Sequence, residues 1–371
     1  MAMGCIEKSL PFLAMVSVQV IHACVNLLSK LALDSGMEPS VFVTYRQISA
    51  TVAITPFAIF LERNTWPLIT RHILSLSLLC SVFGATLHQL LFFYGLQHST
   101  PIISVASVNT LPAITFFIAV LFRQEKAMIR KMAGQAKIIG TCVCVGGATL
   151  LAFYHGGLLI KSVSKLHLTF AGYKNKTVVV KATTLGGILI VVSRVSLAIW
   201  LIIQTRLSRK FPAPFTNTML LCLFSSVQCA VISVTINNDK PSAWYIKSHI
   251  QLVAVLYAGV ISSAVGFWLI IWTAGKKGPL YVSVFGPLSL VVVAILGWAL
   301  IGEDLFRGTL YGALLIMVGL YLVLWGKSKE QQPPEVDATA LHAEPEGRQG
   351  ELEMPNAVTI TVPNKEHEEK L

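Results

Sequence analysis

Charge is scarce in this chain: only 13% of its 371 residues are Asp, Glu, Lys or Arg, against 54% hydrophobic residues. A soluble domain carries about 25% charged residues, so the shortage excludes an ordinary aqueous globule. Hydrolase signatures are lacking too. Neither H-E-x-x-H nor G-x-S-x-G occurs, which removes the zincins and the nucleophile-elbow hydrolases. "WGKS" around Gly326 resembles the end of a phosphate loop, but the leading glycine would have to stand where Tyr321 does. The seven cysteines give neither a disulfide framework nor ligand spacing. Cys142 and Cys144 point to different sides of a helix, and Cys222 and Cys229 lie two turns apart. No enzyme activity, cofactor or metal is expected. A cleavable signal peptide is also missing, and the first apolar run reads as a signal anchor.

What is abundant is the long apolar run. Stretches near the ~20 residues that cross a ~30 Å hydrocarbon core occur at roughly 12–33, 41–61, 74–96, 102–122, 135–154, 184–205, 215–236, 250–273, 280–301 and 306–325. The expected fold class is an all-α membrane protein with ten transmembrane helices. Ten of the 18 acidic residues follow residue 329, so 330–371 is expected to be a disordered acidic tail. Net charge is +11, but the basic residues sit in short connections and orient the chain, so nucleic acid is not an expected partner. Arg63, Arg71, Arg123, Lys126, Arg130, Lys131, Arg206, Arg209, Lys210, Lys276, Lys277, Lys327 and Lys329 all fall on one side. The positive-inside rule makes that side, and both termini, cytoplasmic. Residues 155–183 then lie outside despite five lysines, and Asn175 in "NKT" is a candidate glycosylation site.

The chain also repeats. At an offset of roughly 174, Gln19, His22, Asn26 and Lys30 overlie Ser193, Ser196, Trp200 and Gln204. "YGLQHSTP" lies over "WTAGKKGP", Pro112 matches Pro287, and Glu125 in "FRQEK" matches Glu303 in "IGEDL". Each half ends in a helix with glycines seven apart, Gly140 and Gly147, then Gly312 and Gly319. The expected organisation is a first repeat at 1–154, a non-cytoplasmic loop at 155–183, a second repeat at 184–329 and the tail. Five spans per half is an odd number, so the repeats are inverted. Inverted repeats place a site at their interface that can open to either side. A receptor or membrane enzyme has no such need.

Polar side chains inside the spans mark that site. Gln19, His22, Asn26 and Lys30 share one helical stripe, which cannot face lipid cheaply. Lys30 has two readings, a cation at a cavity mouth or a side chain snorkelling to headgroups. Arg46 at similar depth favours the first, and the pair would attract a carboxylate. His88 and Gln89, with Phe92, Phe93 and Tyr94, face the same region from span three, and Asn109 and Thr110 from span four. Pro112 and Pro287 free carbonyls deep in spans four and nine, or simply bend them. Trp200, Trp268 and Trp272 are either apolar walls for a substrate body or packing. Arg194, near the middle of span six, is expected to face a cavity or a neighbouring helix, with no substrate role assigned.

"NLLSKLALDSGMEPSVFVTYRQ", "NTLPAITFFIAVLFRQEK", "AGKKGPLYVSVFGPL" and "MVGLYLVLWGKSKE" resemble the plant EamA-type drug/metabolite transporters, in the nodulin-like, Walls-Are-Thin-related (UMAMIT) branch. The similarity covers nearly all of residues 8–330. It implies a ten-helix, inverted-repeat basket that moves amino acids or, in some members, auxin, with spans five and ten outside the cavity. Lys30, Arg46, Asn109, Pro112, Glu125, Gln204, Pro287 and Glu303 stand where the family pattern has similar residues. Span six departs from it, with Leu197 in place of a usual tryptophan and Arg194 in place of a small residue.

The expected function is bidirectional, uniport-like transport of amino acids or related carboxylates by alternating access at a plant plasma membrane. The alternatives are auxin or another aromatic acid at the vacuolar membrane and, in a different class, a receptor or scaffold signalling through its tail. Partners would be the solute and the lipid bilayer, with homo-oligomerisation left open.

Overall fold

A computed structural model describes residues 2–97, 101–124, 132–154, 157–160, 184–238, 241–296 and 305–331. Glu125, Asn175, Glu303 and residues 332–371 of the acidic tail fall outside the described residues, as do the side chains of Lys30 and Asn109.

The described chain is a helical bundle. It runs α1 (Ala2–Asp34), α2 (Pro39–Glu62), α3 (Arg71–Cys80), α4 (His88–Gln97), α5 (Pro101–Leu121), α6 (Met132–Phe153), α7 (Thr184–Lys210) and α8 (Pro214–Ile236). Then follow α9 (His249–Leu256), α10 (Phe267–Lys277), α11 (Pro279–Val284), α12 (Leu288–Leu296) and α13 (Arg307–Gln331). Two π-helical segments, Ser81–Leu87 and Tyr257–Gly266, join α3 to α4 and α9 to α10 without a break. A two-stranded patch, β1 (Leu158–Ile160) on β2 (Leu305–Phe306), ties one connection to the start of α13.

Helix ends follow local chemistry. Prolines open α2, α8 and α11, where a missing N–H removes no helical hydrogen bond. Thr70 and Ser248 cap α3 and α9 by accepting from Ile73 N and Ile250 N, each at 3.3 Å. Gly278, at φ 89°, makes the corner between α10 and Pro279 that a side chain would strain.

Burial differs from that of a soluble protein. Val52, Phe60, Phe117, Leu121 and Val231 are exposed, whereas Thr44, Arg46, Gln47, Gln89, Ser193 and Arg194 are buried beside the apolar core. An apolar skin with polar side chains kept inside is the pattern that lipid demands. Seven stretches among the described residues are long and apolar enough to cross a membrane: Ser9–Asp34, Arg71–Leu96, Leu185–Lys210, Pro214–Ile236, His249–Lys277, Pro279–Leu296 and Arg307–Lys329. The protein is a multi-pass membrane protein. Of the ten expected spans, seven meet this measure, and α2, α5 and α6 are helices packed beside them.

Packing runs along four seams. α6 lies along α13 and α2 along α8. α1 packs on α9, α10 and α12, while α7 packs on α3, α4 and α5. The expected glycines make the first seam: a Cβ on Gly147 would lie 2.9 Å from the Gly312 carbonyl oxygen, so the backbones touch. The two prolines behave differently. Pro112 sits inside an unbroken α5, but the helix containing Pro287 breaks into α11 and α12 around Phe285–Pro287. The chain turns there, with Leu288 N bonding back to Phe285 O at 3.0 Å.

Candidate functional site

The buried polar residues form a layer across several helices. From α2, Arg46 donates through Nε to Ser263 Oγ at 2.7 Å and through Nη2 to Ser262 Oγ at 3.0 Å. Both serines belong to the second π segment, which approaches closely because Gly259 has no side chain. A Cβ there would lie 2.7 Å from the Arg46 carbonyl oxygen. Two of the five guanidinium donors are thereby used. No ion pair joins Arg46 to a carboxylate among the described residues.

Gln47, the next residue on α2, donates to Gln89 Oε1 at 3.0 Å. Its own Oε1 is buried without a partner. His88, beside Gln89, has Nδ1 2.8 Å from Ser193 Oγ and 3.1 Å from the Ser193 carbonyl oxygen, and Ser193 Oγ donates to His88 O at 2.8 Å. A carbonyl only accepts, so this contact keeps a proton on Nδ1. Arg194, next to Ser193 on α7, holds its guanidinium 4.7 Å from the centre of the Phe92 ring. On the other side, Thr86 of the first π segment meets Ser225 Oγ at 2.9 Å and donates to Gln228 Oε1 at 2.7 Å. Gln228 Nε2 donates to Ser81 Oγ at 2.8 Å. π segments recur where function needs an irregular backbone, and here both carry hydroxyls into the layer.

The sequence candidates divide among several environments. Arg46, His88 and Gln89 are in the layer. His22 of α1 is half-buried, within electrostatic range of both Arg46 and Arg194, and has no hydrogen-bond partner among the described residues. Gln19 is buried and Asn26 exposed. Trp200 is buried against Phe267, with ring centroids 5.5 Å apart, and its indole lies flat over Gly84, whose missing side chain makes the room. Gln204 reaches Ser208 Oγ at 3.3 Å, further along α7. Pro112 and Pro287 are buried. Gln47, Ser193, Ser225, Gln228, Ser262 and Ser263 were not site candidates from sequence. Their only signal is polarity inside an apolar helix, which serine and threonine also show when they bond their own backbone, as Thr44 does to Ser40 O.

The EamA-like transporter family matches residues 10–153 and 184–325. The chain belongs to that family. Among its relatives in Arabidopsis thaliana, one WAT1-related protein is 35% identical over 88% of this chain and 86% of its own length. Another is 36% identical over 86% of each chain. Protein WALLS ARE THIN 1 is 33% identical over 92% of this chain and 90% of its own. A solved crystal structure shares the fold, with a TM-score of 0.63 at 13% identity over 88% of this chain and 99% of that one. This EamA-like, WAT1-related chain is therefore a membrane transporter for a small molecule.

Proposed function

We propose that the chain has ten spans in two inverted five-helix repeats, at 1–154 and 184–329, and moves small carboxylate-bearing solutes, chiefly amino acids, by alternating access. Both termini are cytoplasmic in this reading and the membrane is the plasma membrane. The observation that carries the substrate reading is Arg46, a buried guanidinium held by two serine hydroxyls, with three donors left and no carboxylate partner among the described residues. A planar fork of that kind fits a carboxylate.

The seams support the repeat. Exchanging α1 with α7, α2 with α8, and the first π segment with the second maps the packing of α1 and α2 on the second π segment onto that of α7 and α8 on the first, and α6 and α13 pack on each other. The two segments that match the family divide the chain at the same place. Alternating access follows from such a pair rocking about a shared site. Phe92 and Phe93 beside the layer favour a second reading, an aromatic acid carried across the vacuolar membrane.

Efflux of radiolabelled amino acids and indole-3-acetate from oocytes tests both. The expected result is faster loss of one carboxylate than from uninjected controls. Arg46→Ala is expected to weaken its apparent affinity about ten- to a hundredfold. No accelerated loss of any carboxylate would end this reading.

A further inference from the structure

Past the end of α8 the described chain meets α2 again through the 3₁₀ turn Pro241–Trp244. Tyr45 of α2 fastens that turn: its hydroxyl donates to the Trp244 carbonyl oxygen at 2.8 Å, and the two rings meet edge to face with centroids 5.9 Å apart. Beside them opens a cleft of about 530 Å³, whose lining includes Tyr45, Trp244, Tyr245, Pro241, Val234 and Asn237. No residue of the buried polar layer lines it, so it stands apart from the site proposed above.

The chemistry of this lining is one-sided. Asn237 spends both amide hydrogens, on Ser40 Oγ and on the Ser233 carbonyl oxygen, each at 3.0 Å. What it has left for the cleft is Oδ1, an acceptor. The Tyr45 hydroxyl has also spent its hydrogen and keeps only lone pairs. The rings of Tyr45, Trp244 and Tyr245 carry negative π faces. Ring faces and acceptor oxygens attract a cation, yet none of the described lining residues is charged, so nothing there repays the dehydration of a metal ion or a primary ammonium. A quaternary ammonium fits, because its methyl groups hold water weakly and pack against aromatic rings.

Position says how such a cation arrives. The membrane-crossing stretch of α8 ends at Ile236, so the cleft begins where the apolar helix gives way to the headgroup level, the depth at which tyrosine and tryptophan gather. Val227, Val231 and Val234 are exposed along one face of α8, at i, i+4 and i+7, and the last of them lines the cleft. A molecule with its cationic head in the cleft can lay apolar chains along that stripe without a gap. We propose that the cleft is a lipid site selective for phospholipids with a choline headgroup. Tyr45, Trp244 and Tyr245 surround the trimethylammonium, Asn237 Oδ1 faces it, and the acyl chains follow the valines into the bilayer.

Two phospholipid probes that differ only in the headgroup, choline or ethanolamine, make the test. Each carries a photoreactive diazirine on one acyl chain close to the glycerol. Full-length protein is reconstituted in vesicles of phosphatidylethanolamine and phosphatidylglycerol with a trace of either probe, irradiated and mapped by peptide mass spectrometry. The choline probe is expected to label the chain between Val227 and Tyr245 at about fivefold the yield of the ethanolamine probe, the size of one exposed cation–π contact. Tyr245→Ala and Trp244→Ala should each bring the two yields together, and Tyr245→Phe should preserve the difference. Tyr245 is 72% exposed, so its replacement leaves the packing intact. Unlabelled phosphatidylcholine should compete, and free choline at the same concentration should not. Equal yields from the two probes in the wild type, or a choline preference that survives both alanine variants, would overturn the inference. Competition by free choline as strong as by the lipid would overturn it as a lipid site. None of these outcomes depends on which solute the protein moves.

Discussion

Gly140 and Gly319 face each other so closely that a Cβ on the first would lie 2.7 Å from the Gly319 carbonyl oxygen, and a Cβ on the second 2.6 Å from that of Gly140. With Gly147 opposite Gly312, the contact is antiparallel and reads the same in both directions, as an isologous interface does. Adding methyls here forces backbone apart. Gly140→Ala and Gly319→Ala are each expected to destabilise the detergent-solubilised protein by about 1–3 kcal/mol, the ordinary cost of overpacking. Their effects should not add, because the first substitution already separates the helices that the second would crowd. Thermal unfolding of the two single variants and the double variant measures this, and strict additivity would contradict the face-to-face pairing.

Lys30 can be tested without knowing where its side chain points. If it serves a substrate carboxylate, Lys30→Ala should weaken apparent affinity about ten- to a hundredfold with little change in surface protein. A snorkelling lysine behaves otherwise: its loss changes abundance and leaves affinity per molecule nearly constant, and Lys30→Arg is silent. Transport kinetics normalised to surface expression separate the two.

Orientation is checked chemically. In an otherwise Cys-free variant, a membrane-impermeant thiol reagent applied outside the cell should label Lys165→Cys and spare Arg209→Cys. The opposite pattern would invert the proposed topology.

Much of this was legible in the sequence, and the limit is physical. Apolar runs are local signals with one cheap structural meaning, so seven of the spans could be read directly, whereas the glycines seven apart marked only the repeat and gave no partner for the seam that Gly140 and Gly147 make. Arg46 was legible because a cation in an apolar run has few tolerable environments. Its partners were not, since Ser262 and Ser263 lie more than 200 positions away and any helix tolerates a serine. The π segments gave no sign, because the extra residue in a widened turn leaves composition unchanged. Pro112 and Pro287 looked alike, yet α5 runs on through the first and the helix breaks around the second. Trp200 was expected at a wall or in packing, and its fit over Gly84 could not be read because the complementary residue lies more than 100 positions away.

At one end of the α2 and α8 crossing, Glu62 at the C-terminus of α2 accepts from Phe215 N at 3.1 Å and Thr216 N at 2.7 Å. At the other, Asn237 Nδ2 and Ser233 Oγ of α8 donate to Ser40 Oγ at 3.0 and 3.2 Å. The pair is thus latched at both ends by unequal latches. Undoing the Glu62 latch strips a carboxylate of two charge-assisted bonds and bares the amides of a helix start. Undoing the Ser40 latch uncovers only hydroxyls and an amide, which water satisfies at little cost. The α2 and α8 pair is therefore easier to part at its Ser40 end than at its Glu62 end.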